Sequence, residues 1–315
     1  MRPEAPPAAL LRLRLTHQVP FGAAARGGDA LAGVEGGPLP AGRRVFVPGL
    51  LPCGECAACR RALCGACGQA RRVAADAAPG SPPSPFELPE RFVVALDDED
   101  AARPATTLIA AGLLAELIGA GGRAGLGPGD TAVWIGRQPW VRVGAGWSVG
   151  RGCRTFWLST PSPSPTSSLS PSSQAIALEA GAGTPGWNAV IAEAEAAGGP
   201  AGGRPERRLF VCGADPSLAE MAVGLATPGS TLSFLLGAPA AILGLDAAPP
   251  LRLFTGAAGH PDLVTEALAA LRRGQVDVQG TFVEVPLAAA ARSAATRLES
   301  DASAPIPLLV FERTP

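Results

Sequence analysis

The sequence predicts an α/β fold of two domains, one of them built on a doubly wound parallel sheet. Strand-like and helix-like segments alternate from about residue 105 onward, which is typical of a parallel sheet with helices on both faces. The first fifty residues differ, because they are rich in Gly and Pro and carry only short strand-like runs. A chain of 315 residues is long enough for two domains that each bury a core.

The N-terminal part begins with LLRLRL (10–15), which alternates as a half-buried strand does. GRRVFVP (42–48) is a second strand, and it leads into a cysteine-rich loop. PGSPPSP (79–85) has the composition of a linker. An extended run with acidic residues at its end, FELPERFVVALDDED, follows this break and closes the first region.

The alternating region opens with leucines at helical spacing in 105–119. Buried strands are predicted at TAVWIG (131–136) and RTFWLS (154–159), and a low-complexity Ser/Pro run at 159–173 is interpreted as a disordered surface insertion. Further strands are predicted at 208–213, 231–236, 252–255 and in PLLVFER near the end. Helical patterns are assigned to 174–180, 188–197, 217–226 and, most clearly, 262–273.

Composition excludes several classes of function. Apolar residues make up 47% of the chain, charged residues 17%, and the net charge is −1, so there is no electrostatic case for nucleic acid or for an anionic membrane surface. The longest apolar stretch, 231–245, is interrupted by Gly and Pro and is too short for a membrane span. The N-terminus lacks the apolar core of a signal peptide, so a cytoplasmic location is expected.

Four cysteines have the spacing of a zinc site. Cys53, Cys56, Cys59 and Cys67 form the pattern C-x2-C-x2-C-x7-C. Four thiolates, each about 2.3 Å from the metal, complete a tetrahedron and leave no position open for a substrate. The sequence therefore predicts a structural Zn²⁺ ion, with Cys64 as a spare thiol that competes with Cys67 for the fourth place.

Other interpretations of these cysteines fit less well. A bacterial iron–sulfur run needs its fourth Cys three residues after the third, followed by Pro, but position 63 is Leu63 and Cys64 is followed by Gly65. A disulfide framework conflicts with the odd total of 7 Cys in a chain without a secretory leader. Reduced thiols that bind no metal remain the alternative.

Four blocks of sequence carry a resemblance to a known family. They are GRRVFVPGLLPCGECAACRR (42–61), GLGPGDTAVWIG (125–136), LAEMAVGLATPGSTLSFLLG (218–237) and GHPDLVTEALAALRRGQVDVQGTFVEVPLAAAARSA (259–294). Together they resemble the zinc-containing medium-chain dehydrogenases, the alcohol dehydrogenase superfamily. The first block is similar to the family's structural zinc lobe, and the second is similar to the start of its nucleotide-binding domain.

This resemblance implies a GroES-like, mostly β domain joined to a Rossmann domain. Residues 1–104 would form the GroES-like domain, shortened and with the zinc lobe at 53–67. Residues 105–245 would form the Rossmann-like domain with the insertion at 159–173, and residues 246–315 would complete its sheet and return to the first domain. It also implies a bound NAD(P), a catalytic zinc ion, and assembly as a dimer or tetramer or together with a related dehydrogenase.

The ligands of the family's catalytic zinc are missing at the matching positions. No Cys precedes Cys53, and Asp29 replaces His in the counterpart of the Gly-His-Glu run. The segment 101–107 offers Arg103 in place of an acidic residue or Cys. His17 is a candidate displaced ligand, whereas His260 is assigned no ligand role. No catalytic residue is therefore assigned.

The nucleotide loop is also altered. The family's G-x-G-x-x-G has its first glycine at Gly136, but Gln138 and Val141 occupy the second and third glycine positions. A side chain at the second position intrudes where phosphate should meet backbone N–H groups, and Val141 is expected to push the helix off the strand. Ser159 replaces the acidic residue that binds the ribose. Gly136 and Ser159 remain the candidate cofactor-binding residues.

Three hypotheses about function follow. The first is a divergent member that keeps the structural zinc but is impaired or non-catalytic, and acts as a binding or assembly partner of an active relative. The second is an active NAD(P)-dependent reductase that works without catalytic zinc. The third is an interaction protein that recruits partners through its cysteine lobe and its Ser/Pro insertion.

Overall fold

The computed structural model describes residues 9–18, 28–60, 67–73, 85–136, 140–159, 175–178, 183–198, 206–213, 215–235, 252–255, 261–286 and 306–310. Within these ranges it contains a curled, mainly antiparallel sheet and a parallel sheet flanked by helices. The predicted α/β class, a GroES-like domain with a Rossmann domain, is confirmed. The predicted Ser/Pro insertion after Ser159 lies outside the described residues.

The elements of the first region alternate short strands with turns. In chain order they are β1 (Leu10–Gln18), β2 (Ala30–Gly36), β3 (Arg44–Val47), β4 (Leu50–Leu51), α1 (Ala57–Arg60), β5 (Arg71–Arg72), β6 (Phe86–Pro89), β7 (Val94–Ala95) and α2 (Asp98–Ala101).

The second region alternates helices and strands. Its elements are α3 (Ala105–Ala124), β8 (Thr131–Gly136), α4 (Trp140–Gly150), β9 (Arg154–Ser159), β10 (Ile176–Ala177), α5 (Gly183–Gly198), β11 (Arg207–Cys212), α6 (Pro216–Leu225), β12 (Thr231–Leu235), β13 (Arg252–Thr255), α7 (Pro261–Arg272), β14 (Phe282–Pro286) and β15 (Ile306–Val310).

The antiparallel sheet has the order β14-β15-β1-β2-β3-β7, with β6 also paired to β1. Alternation in β1 fixes its faces: Leu11, Leu13 and Leu15 are buried, while Arg12 and Arg14 are exposed. The last two strands of the chain lie in this sheet, since β15 pairs with β1.

The parallel sheet has the order β10-β9-β8-β11-β12-β13. All residues of β8, β11 and β12 are buried, because helices cover both faces of these central strands. Trp134 of β8 stacks on Phe210 of β11, with ring centroids 4.1 Å apart. Buried runs without alternation are the sequence signature of such strands, which is why 131–136 was predictable.

Helix α3 joins the two regions. It is long and apolar enough to cross a membrane by length and composition, with a mean hydropathy of 1.5 over its best window. However, 78% of that window is buried inside the protein, which is the property of a core helix. The helix ends at Gly125, whose φ of +67° provides a left-handed cap.

Two expectations about local structure are wrong. Residues 174–180 were assigned a helical pattern, but Ile176–Ala177 form β10, which pairs in parallel with β9. Val141 does not push α4 off the sheet: it is fully buried, and the close approach occurs one turn later at Gly144. A Cβ at Gly144 would lie 2.5 Å from the Trp134 ring, so this glycine makes room for the large ring on β8.

Candidate metal centre

The four predicted cysteines come together at the tip of a lobe that projects from β4 and β5. The Sγ atoms of Cys53, Cys56, Cys59 and Cys67 all lie within 4.8 Å of one another. The Sγ of Cys59 is 3.5 Å from that of Cys56 and 3.8 Å from that of Cys53. Within the ranges that the structure describes, this is the one group of three or more side chains able to hold a metal ion.

This geometry fits zinc. Four sulfurs at about 2.3 Å from a tetrahedral zinc ion lie about 3.8 Å from one another. The two distances from the Sγ of Cys59, 3.5 and 3.8 Å, are close to this spacing. A tetrahedral site with only sulfur ligands favours zinc or iron over harder cations. Four protein ligands around a tetrahedral metal ion would leave no position open for water or substrate.

Backbone N–H groups point at the sulfurs. The amide N of Cys53 is 3.4 Å from the Sγ of Cys67, and the amide N of Cys56 is 3.4 Å from the Sγ of Cys53. Donation from the backbone of Glu55 and Cys56 lowers the pKa of Cys53 to about 6. The backbone N–H of Cys59 lowers the pKa of Cys56 in the same way. The backbone therefore stabilises the thiolate form of Cys53 and Cys56, the form that binds metal.

Cys59 behaves differently from its neighbours. Desolvation, together with side-chain hydrogen bonds with Cys56, Cys67 and Cys53, raises the pKa of Cys59 to about 12, and the backbone of Gly54 opposes this only in part. A metal ion bound by four thiolates would therefore have to displace the Cys59 proton.

The base of the lobe is a small hairpin. Leu50 pairs with Arg72 and Leu51 with Arg71. The carbonyl of Gly49 accepts a hydrogen bond of 3.1 Å from the amide of Val73, which closes the hairpin. Cys53 and Cys67 thus leave the two sides of one closed base, and this brings the first and last of the four cysteines together although residues 54–66 separate them in sequence.

Asp29 is the residue that the sequence resemblance pairs with the family's zinc-binding His. Its Oδ1 accepts a hydrogen bond of 2.7 Å from the amide of Gly49. On its other side the carboxylate faces Gly112 of α3, where an added Cβ would come within 2.1 Å of Oδ2. The side chain is thus held between the base of the lobe and α3.

His17, the candidate displaced ligand, and Arg103, which stands where the resemblance expects a Cys or an acidic residue, are not brought together. Arg103 lies beside α2, where its Nη2 donates to Glu99 over 2.8 Å. His17 lies in β1, and its Nδ1 is 3.0 Å from the Oγ1 of Thr16. His260 lies outside the described residues. Neither Arg103 nor His17 belongs to a group of metal-binding side chains in the described part of the chain.

His17 provides a test through pH. Burial, followed by the charge of Arg44, lowers the pKa of His17 below its ordinary value, and Glu284 opposes this only in part. The unfolded chain therefore takes up the proton first, near pH 6.5, and the free energy of unfolding should fall as the pH drops from about 6.5 toward the lowered pKa. Urea denaturation at pH 7.5 and pH 5.5 should show this loss. His17→Gln should reduce the difference in the free energy of unfolding between the two pH values. The same difference in the variant and the native chain would contradict the lowered pKa of His17.

The candidate nucleotide-binding residues lie at the carboxyl edge of the parallel sheet. Gly136 ends β8 with a φ of +131°, a conformation that favours glycine, and a Cβ there would lie 2.3 Å from the carbonyl oxygen of Cys212. In register, Gly136 is the Cα partner of Ser159 on β9. Helix α4 begins at Trp140 after the turn. Gln138 falls outside the described residues.

Two residues of the site were missed by sequence reasoning. Gly112 receives the Asp29 carboxylate, and Gly144 receives the ring of Trp134. A glycine within a long helix costs about 1 kcal/mol relative to alanine, so its presence there is a signal of close packing. A glycine inside a helix therefore indicates a position of close packing, but it does not indicate which side chain packs there.

Comparison with known proteins agrees with the fold. No family model and no curated protein matches the sequence. Among solved structures, galactitol-1-phosphate dehydrogenase from Escherichia coli superposes with a TM-score of 0.77 at 15% identity, covering 99% of this chain and 95% of that one. Alcohol dehydrogenase TADH from Thermus sp. ATN1 gives 0.73 at 19% identity, with the same coverage of 99% and 95%.

A third solved structure holds a cofactor. It is described as a short chain alcohol dehydrogenase from Escherichia coli CFT073 in complex with NADH, and it gives a TM-score of 0.70 at 14% identity, covering 96% of this chain and 92% of that one. The predicted resemblance to the medium-chain alcohol dehydrogenases is therefore confirmed at the level of the fold. Identities this low show the fold alone, so activity and ligands are matters for proposal.

Proposed function

We propose that this chain is an alcohol dehydrogenase-like protein that binds one structural zinc ion and does not carry out zinc-dependent alcohol oxidation. The zinc ligands are Cys53, Cys56, Cys59 and Cys67. The proposed role is that of a binding or assembly partner, as a homo-oligomer or together with an active relative. Family members of this fold carry a second zinc ion that polarises the alcohol oxygen, and it is this ion that we propose is lost.

The observation that carries the proposal is the environment of Asp29. A catalytic zinc site needs three protein ligands and an open position for water or substrate. At the position of the family's His, the carboxylate of Asp29 accepts from Gly49 and packs against Gly112. It lies between the base of the lobe and α3, and it is not part of a group of three metal-binding side chains among the described residues.

Metal content and cofactor titration on one sample test the proposal. We expect one zinc ion per chain and no change in melting temperature with NAD(H) or NADP(H). Light scattering on the same sample reports whether the chain is a dimer or a tetramer. Cofactor binding with a micromolar dissociation constant would contradict the non-catalytic role, while zinc at two ions per chain would show that a second site exists.

A second candidate function is an NAD(P)-dependent reductase without catalytic zinc. Two glycines favour it: Gly136 keeps the tight turn after β8, and Gly144 allows the close contact of α4 with the sheet. In such an enzyme the cofactor supplies the hydride, and the protein contributes binding and orientation. The titration separates the two candidates, and for any cofactor that binds, oxidation of NADPH with a panel of enones and quinones tests for turnover.

A further inference from the structure

We propose that Asp29 positions the metal lobe, and that the packing of helix α3 thereby sets the zinc affinity of cysteines it does not contact. The inference rests on the zinc site of the proposed function. It assigns to Asp29, which stands where the family has a catalytic ligand, a new role as the link between the lobe and α3.

The first step is the contact between Asp29 and the lobe. Gly49 is buried, and its amide donates to the Oδ1 of Asp29 over 2.7 Å. A Cβ at Gly49 would lie 2.6 Å from the backbone of both Gly28 and Asp29. The two chain segments are therefore in direct backbone contact, and the charge-assisted hydrogen bond fixes Gly49 at one place.

The second step leads from Gly49 to the ligands. The carbonyl of the same residue accepts from Val73, so Gly49 is held by Asp29 at its N–H and by the far side of the hairpin at its C=O. From this closed base the chain reaches Cys53 on one side and Cys67 on the other. Zinc binding needs the sulfur of Cys67 close to the other three sulfurs. A shift of the hairpin base would therefore move Cys67 away from them.

The third step leads from Asp29 to α3. Gly112 is buried in the middle of the helix, and an added Cβ would lie 2.1 Å from the Oδ2 of Asp29 and 2.8 Å from the Cζ of Phe46. Phe46 is fully buried in β3, so it cannot move aside easily. An alanine at position 112 therefore displaces the carboxylate, and with it the acceptor of the Gly49 hydrogen bond.

The helix offers a matched control. A Cβ at Gly121, also in α3, would lie 2.2 Å from Cη2 of Trp147, nearly the same overlap as at Gly112. Trp147 belongs to α4 and has no part in the lobe. Gly112→Ala and Gly121→Ala are thus the same substitution in the same helix with a similar shortest contact, and they differ in the neighbour that has to move.

Zinc affinity of the full-length chain, measured by competition with a chelator, tests the proposal. Outer groups that orient metal ligands change metal affinity by about 10- to 100-fold, so Gly112→Ala should weaken zinc binding by about tenfold or more. Gly121→Ala should lower the melting temperature and leave the zinc dissociation constant unchanged. Equal zinc dissociation constants in both variants and the native chain would overturn the proposal.

A second pair of variants keeps the test decisive if alanine at position 112 prevents folding. Asp29→Asn retains the shape but replaces the charged acceptor, and Asp130→Asn does the same to a carboxylate that accepts from the amide of Gly127 over 2.9 Å. Only Asp29→Asn should weaken zinc binding, and no difference between the two would again overturn the proposal. A native chain that binds no zinc would instead refute the proposed function.

Discussion

Replacing Cys56 with serine is expected to abolish stoichiometric zinc binding and to unfold the lobe. The Sγ of Cys56 lies 3.5 Å from that of Cys59, inside the cluster in which all four sulfurs are mutually close. Structural zinc sites in small peptides are worth about 10–16 kcal/mol at pH 7. One ligand of four therefore accounts for roughly 2.5–4 kcal/mol, which corresponds to a loss of about 60- to 700-fold in affinity.

Metal analysis after dialysis against a chelator measures this effect, and limited proteolysis reports the unfolding of the lobe. The native chain should keep one zinc ion under conditions in which Cys56→Ser loses it. Cys153→Ser is the control, because Cys153 is a buried thiol in the parallel-sheet region whose Sγ donates to the carbonyl of Gly127 over 3.3 Å. If Cys56→Ser retains zinc as tightly as the native chain, the cluster is not the metal site.

The cysteine cluster was predictable because most of its geometry is local. Cys53, Cys56 and Cys59 are separated by gaps of two residues, and a chain with this spacing turns tightly around a metal whatever the rest of the fold does. The fourth ligand needed the hairpin base, which the sequence shows only as the short apolar pair Leu50–Leu51 before the loop. Spacing thus predicted which four cysteines come together, but the structure was needed to show what holds the base of their loop.

The parallel strands were predictable for a physical reason as well. Central strands covered on both faces have no polar alternation, so Thr131–Gly136 and Arg207–Cys212 stand out as continuous runs. Edge strand Ile176–Ala177 does not stand out, because both of its residues are exposed and nothing in its sequence repeats with a period of two. Its pairing with β9 is a tertiary contact, and this contact overrides the local helical pattern.

Contacts between residues that are distant in the chain could not be predicted from the sequence. The sequence resemblance pairs Asp29 with a His of the family, but it does not say what the carboxylate contacts. Its neighbours Gly49 and Gly112 come from a loop and from a distant helix. Likewise, the prediction that Val141 pushes α4 off the sheet came from comparing it with the third glycine of G-x-G-x-x-G. In the structure, α4 comes closest to the large ring of Trp134 at Gly144 instead.

Replacing Glu195 with alanine is expected to cause the largest loss of stability in the parallel-sheet region. Glu195 of α5 forms a two-pronged pair with Arg207 at the start of β11: Nε donates to Oε1 and Nη2 donates to Oε2, each over 3.0 Å. The Arg207 side chain is only 4% exposed and that of Glu195 13% exposed. Nη1 of Arg207 also donates to the carbonyl of Leu225 over 2.7 Å, so one guanidinium joins α5, α6 and the sheet.

Removing Glu195 leaves a buried cation without its counter-ion, which costs about 3–5 kcal/mol in comparable sites. Urea denaturation measures this change in the free energy of unfolding, and Glu193→Ala is the matched control because Glu193 is an exposed carboxylate of the same helix. The double replacement Glu195→Leu with Arg207→Met should recover much of the loss, since buried ion pairs often add little over apolar packing. A loss of stability equal to that of Glu193→Ala would mean that water screens the Arg207 charge and that the pair does not hold α5 on the sheet.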